Sequence, residues 1–140
     1  MYETIDAVVR QGIEKAEHDL RNAQHTLTLG EDCPFDTVCF HAQPCAEKYL
    51  KALLTLQKID FPKTHDLTAL LALLPQPARP SVELDEVAEI NPYSVEARYP
   101  GDWEPLNRAE AVRALEIALK VRQGVRDLLP AHLLAPRFGG

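Results

Sequence analysis

Three long stretches of this chain place apolar residues three or four positions apart, a spacing that fits packed helices and little else. The first stripe is Ile13, Ala16, Leu20, Ala23 and Leu27; the second is Ala42, Ala46, Tyr49, Leu53 and Leu56. The last is Ala111, Ala114, Ala118, Val121, Val125 and Leu128. No stretch alternates with a period of two over β-branched residues, so no strand is expected. Alanines on facing stripes allow close helix approach. The pattern predicts an all-α fold, an antiparallel up-and-down bundle of four to five helices. It forms one domain over residues 1–140, with a flexible tail from about residue 131.

Local signals set the expected ends. The first helix is predicted over residues 4–29, with Gly30 just past its last turn. Asp36 or Thr37 should cap the second. Pro44 lies inside that helix, where it removes the bond to the Phe40 carbonyl at a cost of roughly 3 kcal/mol. A kink near Gln43 is expected, because the stripe passes through without a phase slip. Thr64 should cap a short third helix carrying Leu67, Leu70, Leu71 and Leu74, with Asp66 in its first turn and Pro75 at its end. Residues 75–80, with three prolines, read as a stiff extended linker. A fourth helix is predicted over residues 82–90, and Asn107 with Glu110 forms a capping box for the last, which Pro130 ends.

Composition narrows the function classes. The net charge of −6 opposes broad phosphate-driven nucleic-acid binding but permits a local basic patch. No apolar run approaches the roughly 20 residues of a membrane span. The N-terminus lacks the apolar core of a signal peptide, so a cytoplasmic protein is expected. Cys33, Cys39 and Cys45 form no CxxC pair and read as reduced thiols, the last two half-buried in a helix and Cys33 in a loop. His18 and His25 share a helix face without a third ligand in register, so no metal is expected. No cofactor fingerprint occurs, and GxSxG, P-loop and HExxH patterns are absent.

What remains is a set of basic and aromatic side chains. His41, Lys48 and Lys51 lie opposite the second stripe, with Glu47 four residues before Lys51. Lys63 and His65 precede the third helix, where free backbone N–H groups could hold a phosphate. His65 packed at the turn is the structural alternative. Arg98 and Tyr99 stand in an irregular stretch with Tyr93, Glu96 and Trp103. That arginine reads either as a stacking anchor or as a bidentate phosphate ligand.

Four blocks give the chain a resemblance to the HEPN family, helical domains named for higher eukaryotes, prokaryotes and nucleotide binding. They are Ala16-Glu17-His18-Asp19-Leu20, residues 40–54, Pro62-Lys63-Thr64-His65-Asp66-Leu67 and Arg98-Tyr99-Pro100. Pro44 departs from the family pattern, where alanine or glutamine is more usual. The resemblance implies a helical bundle, commonly dimeric, acting beside a minimal nucleotidyltransferase in some relatives and as a toxin or defence ribonuclease in others. The nuclease branch uses an arginine and a histidine four to six residues apart, which meet across the dimer without metal. Arg98 has no histidine at that spacing; Arg126 and His132 match it, with Pro130 between them. The expectation is a non-catalytic HEPN-type module, dimeric, with a nucleotidyltransferase partner, binding nucleotide or RNA through Lys48, Lys51, Lys63, His65, Arg98 and Tyr99. The alternatives are a metal-independent ribonuclease using Arg126 and His132, and a protein–protein assembly scaffold.

Overall fold

Periodic apolar stripes give helices here, as a computed structural model describing residues 4–94 and 105–134 shows. The elements are α1 (Ile5–Leu27), α2 (Phe35–Leu56), α3 (Leu67–Leu73), α4 (Leu84–Ile90), α5 (Arg108–Arg126) and α6 (Ala131–Leu134). Single 3-10 turns occur at Gly30–Asp32, Gln76–Ala78 and Asn91–Tyr93. Among the described residues there is no strand.

The helix α2 is the centre of the bundle. It packs along α1 on one side and α5 on another, while α3 and α4 close the remaining flank. A connector of a few residues between two long packed helices makes α1 and α2 antiparallel. Ala16 and Ala23 of α1, Ala42 and Ala46 of α2, and Ala111, Ala114 and Ala118 of α5 are buried, which brings the backbones close. Tyr49, Leu50, Leu53 and Leu54 are completely buried in the interior.

Pro44 does not end α2, which runs unbroken from Phe35 to Leu56. Its ring is half-exposed while Ala42, Gln43, Cys45 and Ala46 around it are buried, so the lost backbone bond lies toward solvent. The α5 capping box forms as expected, with Asn107 Oδ1 accepting from the Glu110 N–H at 2.8 Å.

Several boundaries differ from expectation. Neither Asp36 nor Thr37 caps α2; Pro34 holds the N-cap position, and Asp36 Oδ1 accepts instead from the Leu106 N–H at 3.2 Å. Asp66, not Thr64, caps α3, because its carboxylate reaches the N–H groups of Thr68 and Ala69 while Thr64 Oγ1 accepts from Asp66 N. The first helix stops at Leu27 with Thr28 as C-cap; Gly30 takes the left-handed φ of 70° one residue further out than predicted. The fourth begins at Leu84 behind a Glu83–Glu86 capping box. Leu128 falls outside α5, which ends at Arg126, and is 37% exposed, whereas Leu129 is buried. The expected tail begins with a helical turn, α6, whose Leu133 is buried; residues 135–140 lie outside the described part.

The proline-rich linker is a built part of the fold. A Cβ on Gly124 of α5 would stand 2.7 Å from the Pro80 Cβ, so the linker rests directly on that helix. Arg79 donates from Nη2 to the Leu74 carbonyl at 2.9 Å, satisfying an end of α3.

Candidate functional site

The half-exposed edge of α2 carries the residues that the sequence singles out. His41, Lys48 and Lys51 all project there, and each is held by a carboxylate buried beneath it. Asp19 of α1, 9% exposed, takes His41 Nδ1 at 2.9 Å on one oxygen and accepts from Lys48 Nζ on the other. Glu47 of α2, 8% exposed, takes His65 Nδ1 at 2.8 Å and accepts from Gln43 Nε2 at 3.2 Å on Oε1. Its Oε2 accepts from Lys51 Nζ at 3.1 Å.

An ionised carboxylate only accepts, so both imidazoles carry a proton on Nδ1. Gln43, fully buried, also donates to the His65 carbonyl at 2.9 Å, fixing the turn before α3 against α2. Lys51 Nζ stands 5.8 Å from the Phe61 ring centroid. The two buried carboxylates offset the two lysines, and the edge is polar and ordered.

The start of α3 is not an open anion site. Asp66 Oδ1 accepts from the N–H groups of Thr68 and Ala69, and Asn91 Oδ1 accepts from Leu67 N at 2.8 Å. The donors expected to meet a phosphate near His65 are therefore occupied, by the N-cap of α3 and by a residue after α4. Lys63 is exposed on the turn. Arg98 and Tyr99 lie outside the described residues.

Arg126 and His132 do not converge within one chain. Arg126 Nη1 donates to the Tyr49 hydroxyl at 3.3 Å, while His132 Nε2 meets Asp6 Oδ2 at 3.0 Å. Tyr49 in turn rests on Glu17, so the two side chains are anchored near opposite parts of α1. Asp6 and Glu17 are about three turns apart, roughly 16 Å along the axis.

A second polar cluster lies where α1, α2 and α5 meet, and sequence reasoning missed two of its members, Glu17 and Arg122. Arg122 donates to Glu17 through Nε at 2.8 Å and Nη2 at 3.1 Å, a bidentate fork. The Tyr49 hydroxyl donates to Glu17 Oε2 at 2.6 Å. Burial works to raise the Glu17 carboxyl, but the hydrogen bonds from Arg122 and Tyr49 and the charges of Arg122 and Arg126 outweigh it, leaving it below the usual glutamate value. Burial and the Glu17 contact push the Tyr49 phenol up. A signal for the carboxylates did exist. Glu17 and Asp19 both belong to the first family-like block, flanking the buried stripe.

The thiols are chemically quiet. Cys33, Cys39 and Cys45 are all free and buried, more deeply than expected. Burial pushes Cys39 and Cys45 up to about 12, so neither supplies a thiolate near neutral pH. Among the described residues no group of three or more His, Cys, Asp or Glu could hold a metal ion. No helix there is long and apolar enough to cross a membrane.

A family model described as the HEPN domain matches residues 9–128. The fold is similar to the crystal structure of TT1696 from Thermus thermophilus, with a TM-score of 0.71 and 32% identity over 86% of this chain and 98% of that one. It is also similar to ST0689, an archaeal HEPN homologue, with a TM-score of 0.68 and 26% identity over 85% and 95% of the two chains. No curated protein matches.

Proposed function

This chain belongs to the HEPN domain family, and from that premise we propose a non-catalytic binding module, dimeric, that acts with a small nucleotidyltransferase and meets nucleotide or RNA at the α2 edge. The observation that carries the reading is the pinning of Lys48 and Lys51 by buried Asp19 and Glu47. A lysine already held in one geometry loses less freedom when it meets a phosphate. His41, His65 and Lys63 border the same edge, and Arg98 and Tyr99 complete the proposed set. Because Lys48 and Lys51 are each already paired with a carboxylate, affinity is expected to be modest and to fall with salt.

The separate anchoring of Arg126 and His132 supports the non-catalytic reading. A ribonuclease built on those two residues requires a second copy to bring them together. RNA cleavage in EDTA that disappears in His132→Ala would establish that alternative. Ile5 and Val8, 40% and 38% exposed and about one turn apart on α1, favour the scaffold role at that end of the bundle.

The direct test titrates an ATP analogue and a structured RNA into the purified protein. Saturable binding that is abolished in Arg98→Ala and weakened in Lys48→Gln is the expected result. Absence of binding at high micromolar concentration would leave only a protein–protein role. Co-expression with a nucleotidyltransferase encoded beside this chain tests the partner, with joint purification as the readout.

A further inference from the structure

We infer that the seam between α1, α2 and α5 holds a second site, for a phosphate dianion, with Arg126 as its main ligand. It uses side chains distinct from those of the α2 edge and does not depend on that reading.

The argument is one of unmatched donors. The cluster has two guanidinium groups, Arg122 and Arg126, and one carboxylate, Glu17. Glu17 accepts three bonds, from Arg122 Nη2 on Oε1 and from Arg122 Nε and the Tyr49 hydroxyl on Oε2, and none of them comes from Arg126. Arg126 is left with one hydrogen bond among the described residues, 3.3 Å long and to a neutral hydroxyl. A guanidinium carries five N–H donors and a permanent charge. The neighbouring Asp127 accepts from Gln123 Nε2 at 2.7 Å on Oδ1 and, among the described residues, makes no bond to Arg126. His132 is tied to Asp6.

Arg126 is half-buried and shares the single Glu17 charge with Arg122, so the two guanidinium groups are only partly compensated away from bulk water. The carbonyl end of α5 favours a cation there, but that dipole engages few of the arginine's donors. The charge sum of the cluster is one positive. An incoming anion would find a rigid floor, because Tyr49 is fully buried and held on both sides of its oxygen.

The geometry selects phosphate over carboxylate. Arg122 and Arg126 are one α-helical turn apart on the same face of α5. A planar carboxylate presents its two oxygens to one guanidinium fork, as Glu17 does to Arg122. A tetrahedral anion with three or more oxygens can sit on Arg126 and still reach across one turn to the outer nitrogen of Arg122. The source is either free phosphate or the phosphate of a nucleotide.

Titration of inorganic phosphate, AMP and adenosine at low ionic strength, followed by calorimetry and by amide chemical shifts, tests the site. The expected result is saturable phosphate binding, weakened at least about tenfold in Arg126→Gln and less in Arg126→Lys. Glu17→Gln should bind phosphate more tightly than the wild type, a gain that a purely structural arginine would not produce. Equal affinity for AMP and phosphate identifies the free anion as the ligand; tighter AMP binding identifies a nucleotide. Retention in Lys48→Gln with loss in Arg126→Gln places the anion on the seam. The reverse pattern overturns the proposal, as does unchanged binding in folded Arg126→Gln or no saturation in the wild type. Should Arg126→Gln fail to fold, an absent gain in Glu17→Gln is itself decisive against the site.

Discussion

The two polar clusters that flank α2 use the same kinds of side chain and reach different electrostatic ends. On the edge, each buried carboxylate faces one lysine and one histidine, so Asp19 and Glu47 close the charges of Lys48 and Lys51. On the seam, Glu17 faces Arg122 and a tyrosine, while Arg126 bonds only the Tyr49 hydroxyl among the described residues. The difference comes from α5. It contributes two arginines one turn apart and no carboxylate directed at the second. A closed set of charges holds its lysines in fixed positions; an open one leaves a guanidinium with donors to spare.

Substitutions can break this contrast, and the largest effect should come from the edge. Glu47→Ala leaves the buried Gln43 amide short of an acceptor and releases Lys51 and His65 together. A loss of about 2–4 kcal/mol in urea unfolding is expected. On the seam, Tyr49→Phe removes one donor to Glu17 and the only hydrogen-bond acceptor found for Arg126 among the described residues, but leaves the Arg122 fork intact. The same measurement should show about 1–2 kcal/mol.

Acid titration sharpens the comparison from the seam side. The folded Glu17 carboxyl lies below its ordinary value, so its contribution is fully present above the unfolded glutamate value of about 4.3 and is lost as pH falls through the lower folded value. Stability followed by circular dichroism should therefore drop below about pH 4, and Glu17→Gln should flatten part of that limb. The smallest effect belongs to Lys51→Ala. Glu47 keeps Gln43 and His65, so a change of about 1 kcal/mol or less is expected. A larger loss there would mean that the edge depends on its lysines rather than on its carboxylates.

The bundle was readable in the stripes because helical period and burial report the same geometry. All but three of the stripe residues named are buried; Leu27 and Leu56 are only partly covered at helix ends, and Leu128 lies beyond α5. Capping was less readable. Thr64 and Asp66 are both competent N-cap residues, and the choice depends on where Asn91 reaches α3. The basic edge was legible as a face of α2. Its neutralisation was not, since Asp19 comes from another helix and Glu47 looked like an ordinary surface partner of Lys51.

Local spacing alone determined the helices, their apolar faces and the central place of Tyr49, because 3.6 residues per turn makes sequence neighbours into spatial neighbours. Which charges cancel was decided only when the helices packed. Glu17 meets Arg122 and Tyr49 from different helices, and Glu47 meets His65 from the turn before α3. Those distances depend on how whole helices sit against one another, and no periodicity within one segment carries that information.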